Sequence, residues 1–184
     1  LYQSMERVVG ASVAGIFAAS DPSGSRRVLG ETISHTGYII MIFQFLVSRV
    51  FERRKSMPTF LLGLVLAAAG FGIIGCAAIY APTLVFAGIF LFAVGEMISS
   101  PRIQEYITWI APKEKAGLYM GMNFLATMIG GTLSGVTYTT LYGRFSDRGH
   151  PEYLWFLLGL HMLVGIMIFT AFNRVAGEFR EQEK

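Results

Sequence analysis

The chain has 184 residues, of which 53% are hydrophobic, 14% aromatic and only 15% charged, and its mean hydropathy is +0.53. This balance excludes an ordinary water-soluble domain and indicates a membrane protein. The formal net charge is only +3, no nucleic-acid partner is predicted, and the single Cys76 excludes an internal disulfide and a thiolate metal cluster.

The first apolar segment lies at the start of the chain, in residues 1–20. Its core, VVGASVAGIFAAS, lacks a basic leading region and is followed by a loop with Pro and Gly, so it does not resemble a signal peptide; the sequence also begins at Leu1 without an initiator Met. We predict that it is the second half of a membrane-spanning helix whose first half is missing. The loop that follows, residues 21–31, contains Pro and Gly and is predicted to lie outside the cytoplasm.

Five longer apolar segments follow, each near the length of about 20 residues that crosses about 30 Å of hydrocarbon. They cover residues 32–50, 57–79, 83–108, 116–142 and 153–173. We therefore predict an all-α integral membrane protein, with a five-helix transmembrane bundle over residues 32–173 and a cytoplasmic tail over residues 174–184.

The basic residues predict the orientation, because cytoplasmic loops are enriched in Lys and Arg. The densest basic cluster, FERRKSM, is assigned to the cytoplasm. With that choice, the cytoplasmic side carries Arg49, Arg53, Arg54, Lys55, Lys113, Lys115, Arg174, Arg180 and Lys184, and the opposite side carries Arg26, Arg27, Arg144 and Arg148. The C-terminus is therefore expected in the cytoplasm, and the cell (inner) membrane is the expected location.

Glu96 lies inside the third long span, in the stretch FAVGEMISSP. A carboxylate at mid-depth costs about 2.5 to 3.5 kcal/mol, so it should face a water-filled cavity or a basic partner. This makes Glu96 the first candidate for a substrate or proton site. The alternative is a protonated, structural Glu96 hydrogen-bonded to another helix. The adjacent Gly95 would let a neighbouring helix or a ligand approach closely.

Three residues near the end of this span are candidate gating residues. Pro101 lacks a backbone donor and should bend the helix, either as a gate or as a static kink. Arg102 and Glu105 are three residues apart on one helical face and should form an ion pair. That pair could be structural or part of a gate.

Four further polar or aromatic residues are candidates for lining a cavity: Tyr38, Gln44, Tyr119 and Asn123. Asn123 lies one helical turn after Tyr119, so both can point to one wall. The alternative for a lone polar residue is a hydrogen bond between helices.

Glycine spacing in the fourth long span predicts close packing. Gly117 and Gly121, and then Gly131 and Gly135, form small-x-x-x-small pairs that permit helices to approach closely. Sliding during transport is the functional alternative to simple packing.

Three segments carry a family resemblance: FAVGEMISSP (92–101), IAPKEKAGLYMGMNFL (110–125) and IGGTLSG (129–135). Together they resemble the second half of a major facilitator superfamily transporter, and most of all the proton-coupled oligopeptide transporters. The chain departs from that family at Asn123, where Trp is common. The resemblance implies a half bundle of about five full helices and a partial one, completed by a missing N-terminal half.

The implied function is secondary active transport of a small, peptide-like solute, coupled to protons and driven by alternating access. Glu96 would then recognise the substrate's amino group or move a proton. A major facilitator exporter of drugs or metabolites and a non-transporting receptor or scaffold remain as alternatives. HExxH and GxSxG are absent from the sequence, so no enzyme, catalytic residue, metal or cofactor is predicted. The expected partners are the substrate, the proton, the lipid bilayer and the N-terminal half.

Overall fold

The protein is described by a computed structural model that covers residues 7, 11, 19–20, 26–27, 36–81 and 83–176. Five long helices dominate this part: α1 (Thr36–Phe51), α2 (Ser56–Ile79), α3 (Leu84–Ile110), α4 (Ala116–Asp147) and α5 (Tyr153–Ala176). A 3-10 helix, Lys113–Lys115, precedes α4. These elements make an all-α integral membrane protein, as the composition predicts.

A short antiparallel ladder pairs β1 (Ala19–Ser20) with β2 (Arg26–Arg27). The segment predicted as a partial helix is therefore extended at its last two residues. Most of that segment, most of the following loop, and the tail from residue 177 onward lie outside the described residues.

The helices coincide with the five predicted spans to within a few residues, and α4 extends five residues beyond its predicted end. Three helices in the described part are long and apolar enough to cross a membrane, over Ser56–Ala77, Leu84–Trp109 and Tyr153–Val175. Helix α1 has 16 residues and is about 24 Å long at 1.5 Å per residue. Helix α4 has 32 residues, but its Gly, Thr and Tyr residues make it less apolar than the other four helices.

Helices α2 and α3 pack with their backbones in close contact. A Cβ atom added to Gly63 would lie 2.7 Å from the Gly95 carbonyl oxygen, and one added to Gly95 would lie 2.5 Å from the Gly63 oxygen. Gly70 and Gly88 repeat this arrangement about two turns away, at 2.8 and 2.9 Å. Only glycine permits this helix separation. The expectation that Gly95 admits a neighbouring helix is confirmed.

Helix α5 packs on the other side of α2. The Phe156 ring lies 2.9 Å from the position that a Cβ of Gly75 would take, and Leu154 is fully buried. The rings of Phe60 and Phe169 meet edge to face, with centroids 5.2 Å apart. Among the described residues, alanine provides five of the ten buried hydrophobic side chains, as expected where helices associate by close packing.

Helix α4 has no buried residue. A Cβ added to Gly117, Gly121, Gly131 or Gly135 would meet no heavy atom within 4 Å outside the local helix backbone. The close packing predicted from their spacing is therefore not found among the described residues. The glycine spacing places small residues on one face of α4, but a tight interface also needs a neighbouring helix that packs against that face.

The end of α4 is fixed by its own backbone. Gly149 has a φ of +77°, which is the left-handed conformation that glycine adopts without strain. Its N–H donates to the Ser146 carbonyl at 2.9 Å, and the His150 N–H donates to the Phe145 carbonyl at 2.9 Å. This pair of bonds is the Schellman motif, which stops α4 and turns the chain toward α5.

Candidate functional site between helices α1 and α3

Glu96 lies at the middle of α3, with 12 helical residues before it and 14 after it. At 1.5 Å per residue, the carboxylate is attached about 18 Å along the helix. Its side chain is half-buried. Glu96 therefore lies near the middle of α3, and its depth in the membrane stays a prediction.

The backbone beside Glu96 is held firmly against α2. Gly95 contacts Gly63 through the close approach described above, and the Ser99 hydroxyl donates to the Glu96 carbonyl at 3.5 Å. Within the described residues, no hydrogen bond or ion pair engages the Glu96 carboxylate itself. The α2–α3 interface therefore fixes the backbone position of Glu96 and leaves its carboxylate oxygens available to other groups.

Arg102 and Glu105 form the predicted ion pair, with Nη1 and Oε2 2.5 Å apart. Arg102 is buried, with 7% of its surface exposed, so its charge depends on this partner. Glu105 also accepts a hydrogen bond from the Ser56 hydroxyl at 3.2 Å. Pairing of these two residues is confirmed, while their gating role stays a prediction.

The same pair holds the turn between α1 and α2. Arg102 Nη2 donates to the carbonyl of Phe51, the last residue of α1, and Ser56 is the first residue of α2. A cation at a helix C-terminus and a carboxylate at a helix N-terminus both complement the helix dipoles. One ion pair on α3 therefore anchors the ends of two other helices.

Gln44 connects α1 to α3 at a second point, nearer the start of α1. Its Nε2 donates to the backbone carbonyl of Met97 at 3.2 Å and to the Ser48 hydroxyl at 3.0 Å. This is the interhelical hydrogen bond that the sequence left open as an alternative to a substrate role. The substrate role of Gln44 stays a prediction.

A cleft of about 480 Å³ opens between α1 and α3. Its walls combine apolar and charged side chains: Phe45, Val47, Ser48, Arg49, Phe51 and Glu52 from the α1 side, and Met97, Ile98, Pro101, Arg102 and Glu105 from α3. All three predicted gating residues line this cleft, whereas Glu96 does not. The Arg49–Glu52 ion pair, 3.0 Å apart, lies at its exposed edge.

Tyr119 and Asn123 lie on the N-terminal half of α4, away from the cleft. Among the described residues, no hydrogen bond or ring contact joins either side chain to Glu96. Tyr38 lies in the first turn of α1, and its side chain is outside the described residues. The structure thus groups the gating candidates, but does not bring the cavity candidates together.

Sequence reasoning missed Ser48, Ser56 and the Phe51 carbonyl. Ser48 follows Gln44 by four residues, and that spacing could have been noticed. Ser56 and the Phe51 carbonyl are partners only because two helix ends meet α3, which no local pattern predicts. In the described part of the chain, no group of three or more His, Cys, Asp or Glu residues could hold a metal ion.

The helices and this interior site define an all-α integral membrane protein. Over 86 residues, 47% of its length, the chain is 31% identical to the multidrug resistance protein MdtH of Shigella dysenteriae serotype 1 (strain Sd197). The matched segment spans 21% of that relative, about a fifth of its length. No family model and no solved structure matches the chain.

Proposed function

We propose that the chain is the C-terminal half of a major facilitator superfamily transporter that moves a small organic solute by alternating access. The observation that carries this proposal is the half-buried Glu96 at the middle of α3, five residues before Pro101. Intramembrane carboxylates mark substrate, ion or proton pathways because lipid gives them no solvation. The likeness to a multidrug resistance protein supports the transporter class.

The proposed mechanism uses α3 as both the binding and the moving element. Glu96 binds a cationic group or a proton, and the Gly63–Gly95 contact keeps its half of α3 fixed to α2. Beyond Pro101, the C-terminal half of α3 changes its angle and carries Arg102 and Glu105 with it. Tyr119, Asn123 and Tyr38 would complete the cavity in the presence of the N-terminal half. In the proposed orientation, the protein lies in the cell membrane with its C-terminus in the cytoplasm.

Two substrate classes have support from different observations. Export of drug-like compounds is supported by the likeness to MdtH, whose name refers to multidrug resistance. Proton-coupled transport of peptides is supported by the FAVGEMISSP and MGMNFL segments. We place export first, because the likeness to MdtH covers 86 residues, and because Asn123 departs from the peptide transporters.

The experiment uses the complete transporter in proteoliposomes with an imposed proton gradient. Two probes, a labelled lipophilic cation and a labelled dipeptide, distinguish the substrate classes. Glu96→Gln keeps the size of the side chain and removes its charge, so gradient-driven accumulation of the transported probe should be lost while stability changes by less than about 0.5 kcal/mol.

Glu114→Gln is the matched control, because Glu114 is an exposed acid in the 3-10 helix. The control should transport at the wild-type rate. Normal transport by Glu96→Gln would refute the role of Glu96, and failure of the unaltered protein to move either probe would favour a receptor or scaffold.

A further inference from the structure

Pro101 leaves one carbonyl of α3 without its helical partner. In an α-helix, the N–H of each residue donates to the carbonyl four residues earlier. Residue 101 has no N–H, so the carbonyl of Met97 receives no bond from it. An unpaired carbonyl in hydrocarbon is costly, and membrane helices tolerate proline when another donor replaces the missing one.

Gln44 provides such a donor from a different helix. The Gln44 Nε2 atom lies 3.2 Å from the Met97 oxygen, the same oxygen that Pro101 leaves without a bond. Because a carbonyl only accepts, the group that contacts it must be the NH₂ of the amide. The Ser48 hydroxyl, 3.0 Å from Nε2, holds the amide in this orientation.

A second contact between α1 and α3 lies on the other side of the proline. Arg102 donates to the Phe51 carbonyl at the end of α1. Gln44 precedes Phe51 on α1 as Met97 precedes Arg102 on α3, so the two helices run in the same direction here. Helix α1 is therefore hydrogen-bonded to α3 both before and after Pro101, and Phe51, Met97 and Arg102 all line the cleft.

We propose that Gln44 is a positioning residue that supplies the hydrogen bond missing at Pro101, and that its contact together with the Arg102 contact fixes the angle of α3 relative to α1 in this conformation. This role concerns the shape of the helix pair, so it does not depend on the proposed transport function. It gives the Gln44 side chain a structural partner in place of a substrate.

A double-mutant cycle tests the proposal in the full chain. Gln44→Met keeps the length of the side chain and removes the donor, so it should lower the unfolding midpoint by about 2 to 4 °C, the effect of one lost hydrogen bond in a protein of this size. Pro101→Ala restores the N–H, so Gln44→Met should have less than half of that effect when it is combined with Pro101→Ala. An equal effect in both backgrounds would overturn the proposal.

Gln104→Met is the matched control, because Gln104 is an exposed glutamine on α3. Its effect should be the same in the unaltered chain and in the Pro101→Ala variant. A difference between the two backgrounds as large as that for Gln44 would mean that Pro101→Ala alters the helix generally, and the proposal would fail.

A distance measurement separates the positioning role from stability alone. Spin labels at the exposed positions Leu46 and Gln104 report the angle between α1 and the C-terminal part of α3. Gln44→Met should broaden their distance distribution, and adding Pro101→Ala should narrow it again. An unchanged distribution in Gln44→Met would show that Gln44 does not set this angle.

Discussion

The α2–α3 pair and helix α4 use the same residue type for opposite results. Gly63, Gly70, Gly88 and Gly95 each bring a backbone atom of the facing helix within 3 Å of an added Cβ. Gly117, Gly121, Gly131 and Gly135 on α4 have nothing within 4 Å. Small residues permit a close approach, but the rotation and height of the partner helix decide whether it happens.

The two regions also satisfy their polar groups differently. In α2–α3, polar side chains such as Ser56 and Arg102 are buried and bond across helices. In α4, hydroxyls bond within the helix: Thr127 donates to the Asn123 carbonyl and Thr139 to the Gly135 carbonyl, both at 2.9 Å. Internal bonding of this kind lets a helix rich in Thr stay in an apolar environment without a tight partner.

The prediction with the largest expected effect concerns whether α4 crosses the membrane, although it is less apolar than α2 and α3. We expect that it does, with its start in the cytoplasm and its end outside. In a Cys76→Ala background, a cysteine at Glu114 should react with an impermeant maleimide only from the cytoplasmic side, and a cysteine at Ser146 only from the outside. Labelling of both from one side would mean that α4 does not span.

A glycine substitution compares the two regions directly. Gly95→Ala places a Cβ 2.5 Å from the Gly63 oxygen and should cost about 3 kcal/mol, because the helices must separate. Gly131→Ala makes the same chemical change in open space, where only the gain in helix propensity remains, so it should not destabilise the protein and should raise its stability by up to about 1 kcal/mol. Unfolding in detergent micelles measures both, and equal costs would show that the α2–α3 contact is not tight in the membrane protein.

An arginine substitution compares a buried ion pair with an exposed one. Arg102→Met leaves Glu105 without its partner and removes the bond to Phe51, which should cost about 2 kcal/mol; the loss is reduced because 31% of the Glu105 side chain is exposed. In the Arg49–Glu52 pair the side chains are 72% and 60% exposed, so Arg49→Met should cost less than about 0.5 kcal/mol. Denaturant titration of both variants would contradict this if Arg49→Met were the more damaging.

Much of the site could be predicted from local sequence patterns. The i, i+3 spacing predicts the Arg102–Glu105 pair, since residues at that spacing share a helical face. The position of Glu96 within an apolar run predicts its depth, because helical rise is constant. The partner of Gln44 could not be predicted, because Met97 lies 53 residues away and contributes a backbone atom with no sequence signature.

The sequence by itself determined the membrane class and the five helices, because a run of apolar residues must form backbone hydrogen bonds internally wherever lipid replaces water. It also determined which residues could bend α3, since only proline lacks the N–H. The tertiary structure decided which glycines pack, which carbonyl Gln44 contacts, and which helix ends Arg102 and Glu105 hold. These contacts depend on how helices that are distant in the sequence are rotated and shifted relative to one another. The packing of all their side chains determines that arrangement.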